Sequence, residues 1–247
     1  MQRDFLVSHL NELLQIRKFR DYAPNGLQIA GRAEIQTVVT AVSASQAAID
    51  FAVANNADAL LVHHGYFWKG EAAELVGVKR KRIATLLHHE INLLAYHLPL
   101  DQHATLGNNA LFGQALSAHN ISQSSFDDFL WQGDIETVSA SQWIAAVEKI
   151  LQRSIIAVGN TQKMIQKIAW CTGAAQDLLL QAHAEGADAF LTGEYAERSY
   201  HEARECDMLF LVCGHHSTET FGVRALGDYL AATQGLKIFF FDEDNPF

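Results

Sequence analysis

The sequence is short of cysteine, of proline and of basic charge, and each shortage excludes something. Cys171, Cys206 and Cys213 are odd in number and never spaced C-x-x-C. They rule against a disulfide framework or a thiolate zinc knuckle, and fit inert or packing thiols in a reducing compartment. With three prolines and no low-complexity tract, no linker announces itself. No apolar run approaches the roughly 18 residues that span a bilayer. The opening Met1-Gln2-Arg3-Asp4-Phe5 lacks the apolar core and cleavage site of a signal peptide. A soluble, cytoplasmic protein is therefore expected. The net charge of −10 argues against a broad footprint for nucleic acid or anionic membrane. No Walker A loop, G-x-G-x-x-G, G-x-S-x-G or H-E-x-x-H occurs, nor the P-C-x-x-C of zinc deaminases.

What is present is an α/β rhythm over 247 residues, of which 49% are apolar. Phe5, Leu6, Leu10, Leu13 and Leu14 form the stripe of a first helix. Strands are expected over 37–42, 58–62, 92–96, 167–172, 189–192, 208–213 and 237–241. Helices are expected over 45–54, 79–88, 108–117, 174–184, 196–206 and 217–232. Strand–helix–strand alternation implies parallel or mixed sheets with helices on their faces. The least regular stretch, His119 to Gly133, is the candidate boundary, giving a first lobe over 1–122 and a second over 123–247.

The halves share more than rhythm. Ala57-Asp58-Ala59-x-Leu61 returns as Ala187-Asp188-Ala189-x-Leu191, and at the same offset Ala44-x-Gln46 matches Ala174-x-Gln176. That register suggests duplication. His97-x-x-x-Asp101 and His215-x-x-x-Glu219 form a second correspondence, each following a predicted strand.

The chemistry-bearing residues gather at predicted strand ends, where sites form in open α/β sheets. Val62-His63-His64-Gly65 follows a buried strand; His97 and Asp101 follow the next, with Pro99 between them setting a turn away from helix; His215, His216 and Glu219 follow a strand of the second half. An isolated His-His pair is more often two loop histidines, but three strand ends carrying His and carboxylate change that balance. Imidazole and carboxylate donors suit Zn, Fe, Mn, Co or Ni, and a surplus over one tetrahedral set suggests two ions. Glu194 occupies the repeat position of His64 and reads as a vestigial ligand, a supporting acid or plain surface. His88 and His89 are explained by a helix end. His103 stands near Asp101. Lys79-Arg80-Lys81-Arg82 reads as a solvated helix face. Tyr66, Phe67 and Trp68 pack or, being beside the pair, stack on a base.

Taken together, Asp21-Tyr-Ala-Pro-Asn-Gly-Leu-Gln28, Val62-His-His-Gly-Tyr-Phe-Trp-Lys-Gly-Glu71, His97-Leu-Pro-Leu-Asp101, Gly107-Asn-Asn109 and Gly214-His-His-Ser-Thr-Glu219 resemble, over essentially the full length, the YbgI-type branch of the NIF-three-like family, often called GTP cyclohydrolase type 2 homologues. The resemblance implies two related α/β lobes with a dinuclear metal site in the cleft between them. It implies His63, His64, Asp101, His215 and Glu219 as ligands, with His64 and Asp101 on one ion, His63 and His215 on the other, and Glu219 bridging. His97 would orient a ligand or add a donor, and His97 or Glu194 would shuttle protons. It further implies a homohexamer built as a trimer of dimers. The insertion that some members carry between their lobes is absent, so no function depending on it is carried over. The implied function is a two-metal hydrolase acting on a nucleotide-like substrate, in the cyclohydrolase version at purine C8 of GTP. A metal-dependent phosphoesterase and a non-catalytic metal-binding scaffold or regulatory protein are the alternatives.

Overall fold

The computed structural model describes all 247 residues. Eleven strands form two sheets: β1 (Gly26–Ile29), β2 (Thr37–Ser43), β3 (Ala59–His64), β4 (Asn92–Ala95), β5 (His119–Gln123), β6 (Trp131–Ser139), β7 (Ile156–Val158), β8 (Met164–Trp170), β9 (Ala189–Thr192), β10 (Leu209–Val212) and β11 (Lys237–Phe241). The helices are α1 (Arg3–Leu13), α2 (Gln46–Ala54), α3 (Gly77–His88), α4 (Leu98–Gln102), α5 (Asn108–Ala115), α6 (Ala140–Leu151), α7 (Leu179–Ala184), α8 (Glu197–Glu205), α9 (His215–Thr218) and α10 (Thr220–Gln234). None is long and apolar enough to cross a membrane.

The chain forms two units, residues 1–107 with 220–244, and residues 108–219 with 245–247. This corrects the expected division at 122/123. The stretch 119–133 is not a linker: it holds β5, the polar and exposed edge strand of its sheet, and the start of β6, with which β5 pairs antiparallel. Residues 220–244 belong with the first unit, because β11 pairs in parallel with β2 (Ile238 against Val38) and the α10 leucines enter the same core.

In the first unit the strand order is β1-β4-β3-β2-β11, parallel except for β1. Both faces are covered, which explains why these strands read as unbroken apolar runs. Val38, Leu61 and Leu94 face Leu6, Leu10, Val223, Leu226 and Leu230 on one side. Val39, Leu60, Val62 and Leu93 face Ala48, Ile49, Ala52, Ile83 and Leu86 on the other. In the second unit the order is β5-β6-β8-β9-β10-β7, with only β8-β9-β10 parallel. There Phe190 and Phe210 pack against Leu179, Ala182 and Ala203.

The internal repeat extends to hydrogen bonds. Val38 pairs with Ala59, and 130 residues later Ile168 pairs with Ala189. Asp58 Oδ2 accepts the Gln36 and Thr37 N–H groups at 2.9 and 3.0 Å; Asp188 Oδ2 accepts those of Gln166 and Lys167, both at 3.0 Å. The repeated aspartate thus ties the residue before β3 or β9 to the backbone of the neighbouring strand, at the start of β2 and in the middle of β8. The match of His97 with His215 needs correction. Ala59 pairs with Asn92 and Ala189 with Leu209, so His97 corresponds to Gly214, and these two are the N-caps of α4 and α9. The His-x-x-x-acid pattern is therefore one residue out of structural register. Pro99 lies inside the first turn of α4 rather than excluding a helix, since its missing N–H falls where no intrahelical bond forms.

Candidate metal centre

In the first unit, β3 and β4 run parallel and deliver their carboxyl ends side by side. His63 and His64 are the last residues of β3, and His97 follows β4. Adjacent strand residues ordinarily diverge, yet the two rings are 4.6 Å apart between centroids, and His97 lies 5.1 Å from His63 and 5.6 Å from His64. One nitrogen from each of the three lies within 4.8 Å of the others. Asp101, near the end of α4, brings Oδ1 to 3.5 Å from His63 Nε2, both side chains being buried. Asp101 therefore stands beside His63.

Each imidazole is held from behind. His63 Nδ1 is 2.9 Å from the Tyr96 carbonyl, His97 Nδ1 is 2.7 Å from Asp21 Oδ1, and His64 Nδ1 is 3.2 Å from Ser43 Oγ. A carbonyl or carboxylate only accepts, so Nδ1 of His63 and His97 carries the proton and, in the neutral ring, Nε2 carries the lone pair. That is the arrangement of metal-binding histidines. Asp21 also accepts from Asn25 Nδ2 at 2.8 Å and the Leu98 N–H at 3.0 Å. Burial raises its pKa, but these bonds and the charge of His97 outweigh that and hold it at about 2.

In the second unit, His215 opens α9 after β10, and Glu219 is the residue where α9 ends. His215 Nε2 is 3.2 Å from Glu219 Oε2, and its Nδ1 is 2.6 Å from Glu194 Oε1, just past β9. Burial disfavours the charged ring, yet Glu219 and then Glu194 overcome it and raise the His215 pKa to about 9. Two carboxylates converging on one ring make a place that calls for positive charge. Gly173, at φ +70°, leaves room for this pair: a Cβ there would meet Glu219 Oε1 at 2.3 Å. The Gly173 N–H is anchored by Thr218 Oγ1 at 3.0 Å, and that of Thr172 by Asn109 Oδ1 at 3.0 Å. Asn109 of the Gly107-Asn-Asn109 motif is thus a scaffold for this loop.

The remaining candidates separate from these groups. His103 Nδ1 accepts the Leu106 and Thr105 N–H groups at 3.1 and 3.3 Å, closing its own turn. His88 and His89 end α3, as expected. Lys79 pairs with Glu71 at 3.0 Å. Tyr66 packs, its hydroxyl donating to the Ala44 carbonyl at 2.6 Å. Sequence reasoning missed Asp21, Ser43 and the Tyr96 carbonyl as orienting groups. Asp21 lay inside a quoted motif, and its position beside Asn25 was the available signal.

With this geometry established, comparison with known proteins places the chain. The family described as Duf34/NIF3 (NGG1p interacting factor 3) matches residues 1–246. The chain belongs to this family. Among its Duf34/NIF3 relatives, the Neisseria meningitidis serogroup B protein called GTP cyclohydrolase 1 type 2 homolog is 48% identical over 245 residues, covering 99% of this chain and 98% of that one. A Yersinia pestis protein of the same name is 48% identical over 243 residues, with 98% of each covered. The solved structure of protein ybgI, described as of unknown function, superposes with a TM-score of 0.97 at 41% identity over 100% of both chains. TTHA1606 from Thermus thermophilus does so with 0.91 at 31% identity, again over 100% of both. The resemblance read from the motifs is the family found.

Proposed function

We propose that this chain is a metal-dependent hydrolase holding two divalent cations on His63, His64, Asp101, His215 and Glu219, in the cleft that the family resemblance implies. The observation that carries this reading is shared by four histidines. His63, His64, His97 and His215 each have Nδ1 against a protein oxygen, which orients the ring and supports Nε2 as the metal-facing nitrogen. The donor set is imidazole and carboxylate without thiolate, suited to Zn, Fe, Mn, Co or Ni. In the pairing that the resemblance implies, His64 and Asp101 would hold one ion and His63 and His215 the other, with Glu219 shared between them. Bound ions would supply Lewis-acid polarisation of a substrate and activation of water. Glu194 and Asp21 hold their histidines in place, while His97 presents a further nitrogen beside His63 and His64 for binding or proton transfer.

The substrate class is nucleotide-like, in keeping with the cyclohydrolase name of the relatives. Metal content per chain, in protein purified without chelator, is expected to be about two ions and to fall sharply in His64→Ala/Glu219→Ala. Metal-free wild type that cannot be reloaded would overturn the reading. Formate release against phosphate release from nucleotides then separates cyclohydrolase from phosphoesterase chemistry. We also propose a cytoplasmic homohexamer, a trimer of dimers, checked by sedimentation at a mass near six chains.

A further inference from the structure

The loop after β3 does more than leave the histidines. Trp68 sets its indole 5.0 Å from the His97 ring, nearly perpendicular to it, and 5.9 Å from His64. It is the one tryptophan that stays half-exposed; Trp131, Trp143 and Trp170 are buried. A large ring kept at the surface beside ligand-type imidazoles is not being used for core packing.

The backbone carrying it is pinned at several points. Glu71 Oε2 accepts the Phe67 and Trp68 N–H groups at 3.1 and 3.3 Å and is itself held by Lys79 at 3.0 Å. The Lys69 N–H donates to the Tyr22 carbonyl at 2.6 Å. Asp21, next to Tyr22, is the residue that orients His97. The segment that sets the imidazole therefore also sets the indole. Phe67 is held at φ +66°, a conformation that aromatic residues rarely adopt, so the loop is over-determined by its anchors.

We infer that Trp68 is the stacking wall of the substrate site, selecting a planar heteroaromatic ring, a nucleobase, and laying it beside the imidazole nitrogens. This rests on the hydrolase reading and names the part of the substrate that the chain itself recognises. An indole face stacks on any base at a gain large enough to be read in affinity, and an aliphatic side chain does not replace it.

The test uses full-length, metal-loaded protein with guanosine 5′-monophosphate and, as the ring-free control, ribose 5-phosphate. Indole fluorescence reports binding in the wild type, since Trp68 is the accessible tryptophan, and calorimetry measures all variants. Guanosine 5′-monophosphate is expected to quench saturably and to bind about tenfold or more tighter than ribose 5-phosphate. Trp68→Leu should lose that advantage with ribose 5-phosphate affinity unchanged, and Trp68→Phe should keep most of it. Equal affinity of wild type and Trp68→Leu for the nucleotide, or of wild type for both ligands, overturns the inference. Metal content measured on the same samples keeps the two readings apart. Metal-free protein that still takes the nucleotide on Trp68 supports the wall and sinks the hydrolase. Metal-loaded protein whose nucleotide affinity ignores Trp68 does the reverse.

Discussion

Removing Glu194 tests the proposed metal centre without touching a proposed ligand. Its Oε1 is 2.6 Å from His215 Nδ1, so it both orients the ring and raises the basicity of the opposite nitrogen. Groups that hold a ligand histidine from behind typically change metal affinity by about ten- to a hundredfold, and the 46% exposure of the Glu194 side chain puts it at the low end. About a tenfold loss of metal affinity is therefore expected in Glu194→Ala. Glu194→Gln keeps an accepting oxygen and loses only the charge, so its loss should be smaller. Competition against a chelator of known affinity, with Zn or Mn, measures both variants. Wild-type affinity in Glu194→Ala would refute the argument, because a ring that needs no carboxylate behind it is not being positioned as a ligand.

Gly173→Ala should cost at least about 1 kcal/mol in urea unfolding and deplete bound metal, since the new Cβ would meet Glu219 Oε1 at 2.3 Å from a backbone at φ +70°; a fully metallated, equally stable variant would contradict this. Asp58→Ala and Asp188→Ala should each lower stability by about 1 to 3 kcal/mol, because each leaves two backbone N–H groups without their carboxylate; clearly unequal losses would show that the repeat is geometric only. Glu185 accepts from Ser124 Oγ at 2.7 Å and from the Ser125 N–H at 2.8 Å, and these bonds lower its pKa from 4.5 to about 2. A depressed folded pKa contributes stability that is present above 4.5 and lost as pH falls through about 2. Urea midpoints between pH 6 and pH 2 should therefore converge for wild type and Glu185→Gln as the pH drops, and a constant gap would refute the assignment.

Much of the architecture was legible in composition and period. The strand at 237–241 and the helix after Ser45 fall where the sequence places them, the Ser45 hydroxyl accepting the Ala48 N–H at 3.1 Å as an N-cap should. The candidate ligand residues were legible as a set because few side chains bind metal and these follow buried strands. Strand β5 was not, since an edge strand can be polar on both faces and carries no apolar alternation, and β6 was missed although Trp131, Gly133 and Ile135 alternate as its buried residues. Helix α6 escaped notice although Trp143 and Val147 form its buried face.

What only the tertiary structure decided is pairing. The sequence by itself determined which side chains are good ligands and that they follow strands. It could not say that β11, at the far end of the chain, would lie on β2 and move 220–244 into the first unit. It could not say that Asp101 would approach His63 to 3.5 Å, or that Asp21, 76 residues before His97, would hold that ring. Ligand chemistry is a property of one residue and its neighbours in the chain, whereas ring orientation depends on an acceptor brought up by folding.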